Sequence, residues 1–82
     1  MSTVSDVVTV IAQALTSRPD EVKVVESLHK GTTLVELYVA PGELGRVIGK
    51  QGRTAAALRT LAASAAEKDG TTVTLEIRDG RP

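Results

Sequence analysis

Apolar residues change their spacing along the chain, and each change marks an element. In residues 3–16, Val4, Val7, Val8, Ile11 and Leu15 recur three and four positions apart, the repeat of one helix face. Ser2 or Thr3 can cap this helix, and Asp6 suits its first turn. Its β-branched residues lower helix propensity, so the assignment rests on periodicity. Pro19 turns Arg18 away from helical angles and closes the segment. The spacing then falls to two. Val22 and Val24 alternate with Glu21 and Lys23, and Val35, Leu37 and Val39 alternate with Glu36 and Tyr38, which predicts strands over 21–29 and 32–40. Val25 breaks the alternation and leaves the register of the first strand open. His29-Lys30-Gly31 between them reads as a tight turn, so the pair should form an antiparallel hairpin.

Pro41-Gly42 ends the second strand. Leu44, Val47 and Ile48 mark one face of a very short helix that stops at Gly49, and Lys50-Gln51 leads into the best helix former of the chain, residues 54–68. At about 100° per residue, Ala55, Leu58, Leu61, Ala62, Ala65 and Ala66 share its expected core face. Asp69-Gly70 closes it, with Gly70 as a left-handed cap. Val73, Leu75 and Ile77 alternate with Thr72, Thr74 and Glu76 in a last strand, and residues 79–82 read as a frayed tail. The order is α-β-β-α-α-β. A hairpin cannot bury its apolar face alone, and three helices supply the cover. The link from the second strand to the last holds two helices, enough for a right-handed parallel crossover. The expected fold is α+β: one domain over 1–82 with its core over 3–78, built as a three-stranded mixed sheet with all three helices on one face.

Composition narrows the function. A chain of 82 residues buries only about two-thirds of its unfolded surface. It has no cysteine for a disulfide or a thiolate metal site. No apolar run approaches the ~20 residues of a membrane span, and the N-terminus lacks the layout of a signal peptide. A cytoplasmic protein that uses no membrane is the expectation. Formal net charge is zero, which argues against a nucleic-acid binder. Its distribution argues the other way. From Gly42 to Leu61, the cations Arg46, Lys50, Arg53 and Arg59 stand against Glu43 alone. The single aromatic residue, Tyr38, excludes single-strand binders built on rows of stacked rings.

The chain holds two G-x-x-G sequences, a pattern that arises by chance about once in two or three chains of this size. Gly42-Glu43-Leu44-Gly45 carries an acid and a leucine between its glycines and reads as structural. Gly49-Lys50-Gln51-Gly52 differs: its inner residues are polar or cationic, Val47-Ile48 precedes it, and a helix follows. Glycine lets backbone N–H groups approach a ligand, and a helix start has unpaired N–H groups and positive dipole character, so the second match suggests an anion seat. It is not a P-loop, because Leu44 and Gln51 stand where glycine and a hydroxyl residue are needed, nor a dinucleotide fingerprint, because Val47 stands where that motif has glycine.

Val47-Ile48-Gly49-Lys50-Gln51-Gly52-Arg53, set between two helices in this element order, resembles the type II KH domain. The lead-in Val39-Ala40-Pro41 and the continuations Arg53-Thr54-Ala55 and Leu58-Arg59-Thr60-Leu61 resemble most the small single-domain bacterial RNA-binding proteins of the KhpA family. That resemblance implies a groove that clamps about four nucleotides of single-stranded RNA through their backbone. The clamp would be Gly49, Lys50, Gln51 and Gly52. Lys50 and Arg53 would supply charge to phosphates, with Arg46 and Arg59 nearby and aliphatic residues such as Val47 and Ile48 lining the groove. The turn at His29 and Lys30 would stand in the facing wall as a very short variable loop. Ala55 departs from the isoleucine common in KH domains, which bears on groove depth and base preference. The resemblance further implies an RNA chaperone or post-transcriptional regulator linked to cell-envelope growth and cell length. It also implies a homodimer, or a heterodimer with a KhpB-type partner.

Bland alternatives stand beside these readings. Lys50, Arg53, Arg46 and Arg59 could be solvated surface cations. His29 lies at a turn with no ligand at metal spacing and reads as a surface residue. Tyr38 reads as packed on the sheet, and Leu58, Leu61 and Ala62 as core. On the far face of the long helix, Ala56, Ala57, Thr60, Ala63, Ser64 and Glu67 are mostly small, which would let another helix approach or would only favour helix on a solvated surface. Ala56, Thr60, Ala63 and Glu67 are the candidate dimer face. A protein–protein adaptor with a structural glycine loop is the alternative function. No nucleophile–base pair, paired carboxylates or metal cluster supports an enzyme, and no cofactor is expected.

Overall fold

A computed structural model describes residues 3–81. It has the elements α1 (Thr3–Leu15), β1 (Lys23–His29), β2 (Thr32–Val39), α2 (Leu44–Ile48), α3 (Arg53–Lys68) and β3 (Thr72–Asp79), with 3₁₀ turns at Pro19–Glu21 and Lys50–Gly52. The sheet order is β1-β2-β3, antiparallel between β1 and β2 and parallel between β2 and β3. This is the α+β fold expected, with a mixed sheet. Ser2, one of the two expected helix caps, lies outside the described residues.

The helices cover one face of the sheet. Val35, Leu37 and Val39 of β2 and Leu75 of β3 are buried against Val4, Val8 and Ala12 of α1 and Leu58, Ala62 and Ala66 of α3. Each fully buried Val or Leu contributes roughly 1.5–3 kcal/mol, so β2, buried at every second residue, is the centre of the core. Register resolves the first strand: Val24 pairs with Leu37 on the covered face, and Val25 with Glu36 on the open one. On that open face the Tyr38 hydroxyl (3.1 Å) and Arg78 Nε (3.0 Å) both donate to Glu36 Oε2. Burial and this acceptor raise the Tyr38 pKa.

The start of β1, the end of β3 and the placement of Leu61 differ from the expectation. β1 starts at Lys23, because Pro19–Glu21 forms a 3₁₀ turn in which Val22 N–H donates to Pro19 O at 3.2 Å. Pro19 therefore starts an element as well as ending α1. β3 continues through Asp79, and Gly80 N–H donates to Val39 O at 2.8 Å, so the last strand takes in part of the expected tail. Leu61, expected in the core, is 48% exposed. The buried stripe of α3 is Ala55, Leu58, Ala62, Ala65 and Ala66, and Leu61 lies about 100° from Ala62 around the axis, beyond its edge. α3 closes as expected at Gly70, where Thr71 N–H donates to Ala66 O and Gly70 N–H to Glu67 O, both at 3.0 Å, in a Schellman motif.

Candidate nucleic-acid interface

The loop between α2 and α3 is built from the glycines outward. Gly49 N–H donates to Gly45 O at 2.9 Å and finishes α2. Gly49 then takes φ 75°, ψ 174°, a region open essentially to glycine. A Cβ there would lie 2.2 Å from Thr54 Oγ1 and 2.6 Å from Thr54 Cβ. Gln51 (φ 58°, ψ 25°) and Gly52 (φ 72°, ψ 12°) are both left-handed, and helical geometry resumes at Arg53. Gly52 N–H donates to Gly49 O at 3.2 Å and Arg53 N–H to Lys50 O, so these two amides are engaged inside the loop. Among the described residues, the Lys50 and Gln51 amides have no intramolecular acceptor. Lys50, Gln51 and Arg53 are exposed, and Gly49 and Gly52 half-buried. The loop lies at the surface and is not sealed by neighbouring side chains.

The four cations of this region are not equivalent. Arg46 Nε lies 3.3 Å from Glu43 Oε2. Arg53 Nη2 donates to the neutral Gln51 Oε1 at 2.9 Å, which orients its guanidinium without cancelling its charge. Lys50 and Arg59 are exposed, Arg59 on the flank of α3. Val47, expected among the contact residues, is fully buried and packs in the core. It has no surface to offer a ligand. Ile48 is half-buried beside the loop.

Glu43 belongs to the scaffold under this site. Its Oε1 accepts from Thr16 Oγ1 (2.7 Å), Ser17 N–H (2.6 Å) and Ser17 Oγ (2.7 Å). These bonds fasten the start of α2 to the end of α1. The Thr16 hydroxyl first, then the Ser17 side chain and amide, hold the Glu43 carboxyl at a pKa of about 2, with Arg46 adding less. The first glycine pair thus surrounds a structural acid, as its residues implied. Its partners stand more than twenty residues earlier in the chain, and no local spacing announces them.

The turn at His29 and Lys30 does not face the loop. Thr32 pairs with Thr72, and Val39 with Asp79. α3 leads into the Thr72 end after about 24 Å of helix at 1.5 Å per residue, so the glycine loop sits at the Val39–Asp79 end and the hairpin turn at the other. β3, an edge strand against which both α2 and α3 pack, is the strand beside the loop. His29 Nε2 lies 3.2 Å from Ser27 Oγ on the exposed surface. The dimer-face candidates Ala56, Thr60, Ala63 and Glu67 are all exposed along α3, and Thr60 Oγ1 donates back to Ala56 O at 3.1 Å. Among the described residues, no group of three or more His, Cys, Asp or Glu could hold a metal ion, and no helix is long and apolar enough to cross a membrane.

Comparison with known proteins gives a consistent picture. Residues 5–77 match the family described as KhpA/KhpB, KH domain. The chain is 47% identical over 77 residues to the RNA-binding protein KhpA of Aquifex aeolicus (strain VF5), covering 94% of this chain and 98% of that protein. It is 45% identical over 71 residues to the RNA-binding protein KhpA of Chlamydia muridarum, covering 87% and 91%. Among solved structures, an Aquifex aeolicus Era variant bound to GDP.AlF4- superposes with a TM-score of 0.62 at 19% identity, over 93% of this chain and 29% of that one. The last likeness concerns the fold alone.

Proposed function

The chain belongs to the KhpA/KhpB KH-domain family, and from that premise we propose that it binds single-stranded RNA through residues 49–53. The carrying observation is the surface loop that pairs the Lys50 and Gln51 amides with two cations, Lys50 and Arg53, free of any carboxylate partner among the described residues. Backbone amides and cations together suit phosphate oxygens. About four nucleotides would run from the loop along the α3 flank that carries Arg59, beside the open edge of β3. Aliphatic side chains would line the path, and affinity would be weak. The chain acts on this reading as a cytoplasmic, non-enzymatic RNA chaperone or post-transcriptional regulator. The link to envelope growth and cell length rests on the family resemblance alone.

Fluorescence anisotropy with a labelled single-stranded oligoribonucleotide at low salt tests the reading. Lys50→Asp with Gln51→Asp should weaken binding by about tenfold or more with an unchanged circular dichroism spectrum. Unchanged affinity in that variant would remove the loop from the function.

A second reading is favoured by the exposed side of α3. Leu61, 48% exposed, lies among Ala57, Thr60 and Ser64 on a face where another helix could approach. Pairing there with a second copy, or with a KhpB-type protein, would place two loops on one RNA and raise effective affinity. The adaptor alternative uses this face alone. Sedimentation separates the cases: Ala63→Arg should abolish self-association, and a monomer at all concentrations in both forms would count against it.

A further inference from the structure

On the face of the sheet that the helices leave open, Tyr38 stands between Lys23 and Arg78. We infer that Tyr38 stacks a base of a single-stranded RNA longer than the stretch held at the glycine loop. The site is separate from residues 49–53, and only the class of its ligand rests on the RNA-binding reading above.

β2 buries Val35, Leu37 and Val39 beneath the helices, so alternation turns Leu34, Glu36 and Tyr38 to the opposite face. Tyr38 is the one aromatic residue of the chain. It pairs with Lys23 of β1 and with Arg78 of β3, which sets a cation on each side of the ring. The Tyr38 hydroxyl and Arg78 Nε donate to the same Glu36 Oε2, at 3.1 and 3.0 Å. That shared acceptor ties ring and guanidinium together before any ligand arrives. An aromatic ring or a guanidinium plane stacks a base of any identity.

The charge beside the ring suits a phosphate chain. Gly80 N–H donates to Val39 O at 2.8 Å, which turns the chain after β3 across the end of β2. Arg81 thereby reaches a concavity of about 580 Å³ that Arg18, Asp20, Glu21 and Lys23 also line. Arg18 is paired with Glu21. Lys23 and Arg81 are exposed and have no carboxylate within ion-pair distance among the described residues. The next row of the sheet holds Val25, Glu36 and Glu76. The Glu76 charge repels phosphate, which confines an RNA to the Tyr38 row and the sheet end beyond it. Val25 is the one exposed large apolar side chain of this face among the described residues, too little apolar surface for a docked protein. Tyr38–Arg78 adjoins the Val39–Asp79 end of the sheet, where the glycine loop lies on the helix side. One strand rounding that end meets both.

The test compares tetrauridylate, long enough for the loop alone, with dodecauridylate, both by anisotropy on the full chain. Tyr38→Thr, which keeps strand propensity, should bind the dodecamer about tenfold more weakly and the tetramer unchanged. Tyr38→Phe, which keeps the ring, should bind both as the parent does. Lys23→Gln with Arg81→Gln should make the dodecamer's salt slope shallower by about 1.4, two contacts at roughly 0.7 each. On the unmodified chain, where no variant has to fold, the Tyr38 ring proton resonances should move with the dodecamer and stay in place with the tetramer. A folded Tyr38→Thr chain that binds the dodecamer like the parent would overturn the assignment, as would ring resonances that the dodecamer leaves unmoved. Ring resonances that respond to protein concentration and not to RNA would also overturn it, and would point to a protein contact on this face. If Lys50→Asp with Gln51→Asp loses binding while Tyr38→Thr changes nothing, this inference alone fails. If the tetramer never binds and the dodecamer binds through Tyr38, the loop reading fails and this one stands.

Discussion

One oxygen of Glu43 receives three hydrogen bonds, two from hydroxyls and one from a backbone amide. These donors favour the ionised carboxyl and hold it at about 2, below its ordinary 4.5. A depressed carboxyl stabilises the fold above its unfolded value and loses that contribution as pH falls through its folded one. Urea midpoints should therefore decline from about pH 4.5 towards pH 2, and Glu43→Gln should flatten that decline while lowering stability at pH 7. Equal acid sensitivity in both forms would show that other carboxyls dominate. The same residue ranks the cations. Arg46 is already paired with Glu43, so Arg46→Gln should weaken RNA binding less than Lys50→Gln does, as compared by anisotropy in one buffer.

The long helix shows how far periodicity reaches. Leu58 is 1% exposed and Leu61 48%, although both satisfy the spacing of one broad apolar face. Leu58→Ala should cost about 2–5 kcal/mol, the range for an emptied core site. Leu61→Ala should cost under about 1 kcal/mol, as a change away from the core does; urea titration of both variants distinguishes them. Ala55, Ala62, Ala65 and Ala66 complete the buried stripe with Leu58, and Leu61 stands beyond its edge. Apolar spacing identified every α-helix and strand of the fold, because amphipathic period is a local property. It did not show the 3₁₀ turn at Pro19–Glu21, which is too short to have a period. Nor did it show that Val47, one residue before a half-buried Ile48, belongs wholly to the core. Side-chain direction at the end of a five-residue helix depends on how α2 tilts onto its neighbours.

At the scale of the molecule, the crossover from β2 to β3 places the glycine loop at one end of the sheet and the His29–Gly31 turn at the other. Sequence resemblance put that turn opposite the loop, and strand direction, which no local pattern encodes, removes it. That Lys50 and Arg53 flank an exposed glycine loop was legible from residue order alone. The neutralisation of Arg46 by Glu43 was not, since it depends on Glu43 being turned towards Thr16 and Ser17. With Lys50, Arg53 and Arg59 as the remaining cations, two to three phosphate contacts give a salt slope of about −1.5 to −2 at roughly −0.7 each. A slope near zero would indicate binding without phosphate contact.

The central claim, that the bend between α2 and α3 receives an RNA backbone, is tested most directly by following the amide resonances of the nitrogen-15-labelled chain as a single-stranded oligoribonucleotide is added. The account predicts the largest, saturable shifts at Lys50, Gln51, Gly52 and Arg53, smaller ones near Arg59, and none at His29, Lys30 and Gly31. Shifts centred on the hairpin turn or the open face of the sheet, with the 49–53 amides unmoved, would contradict it.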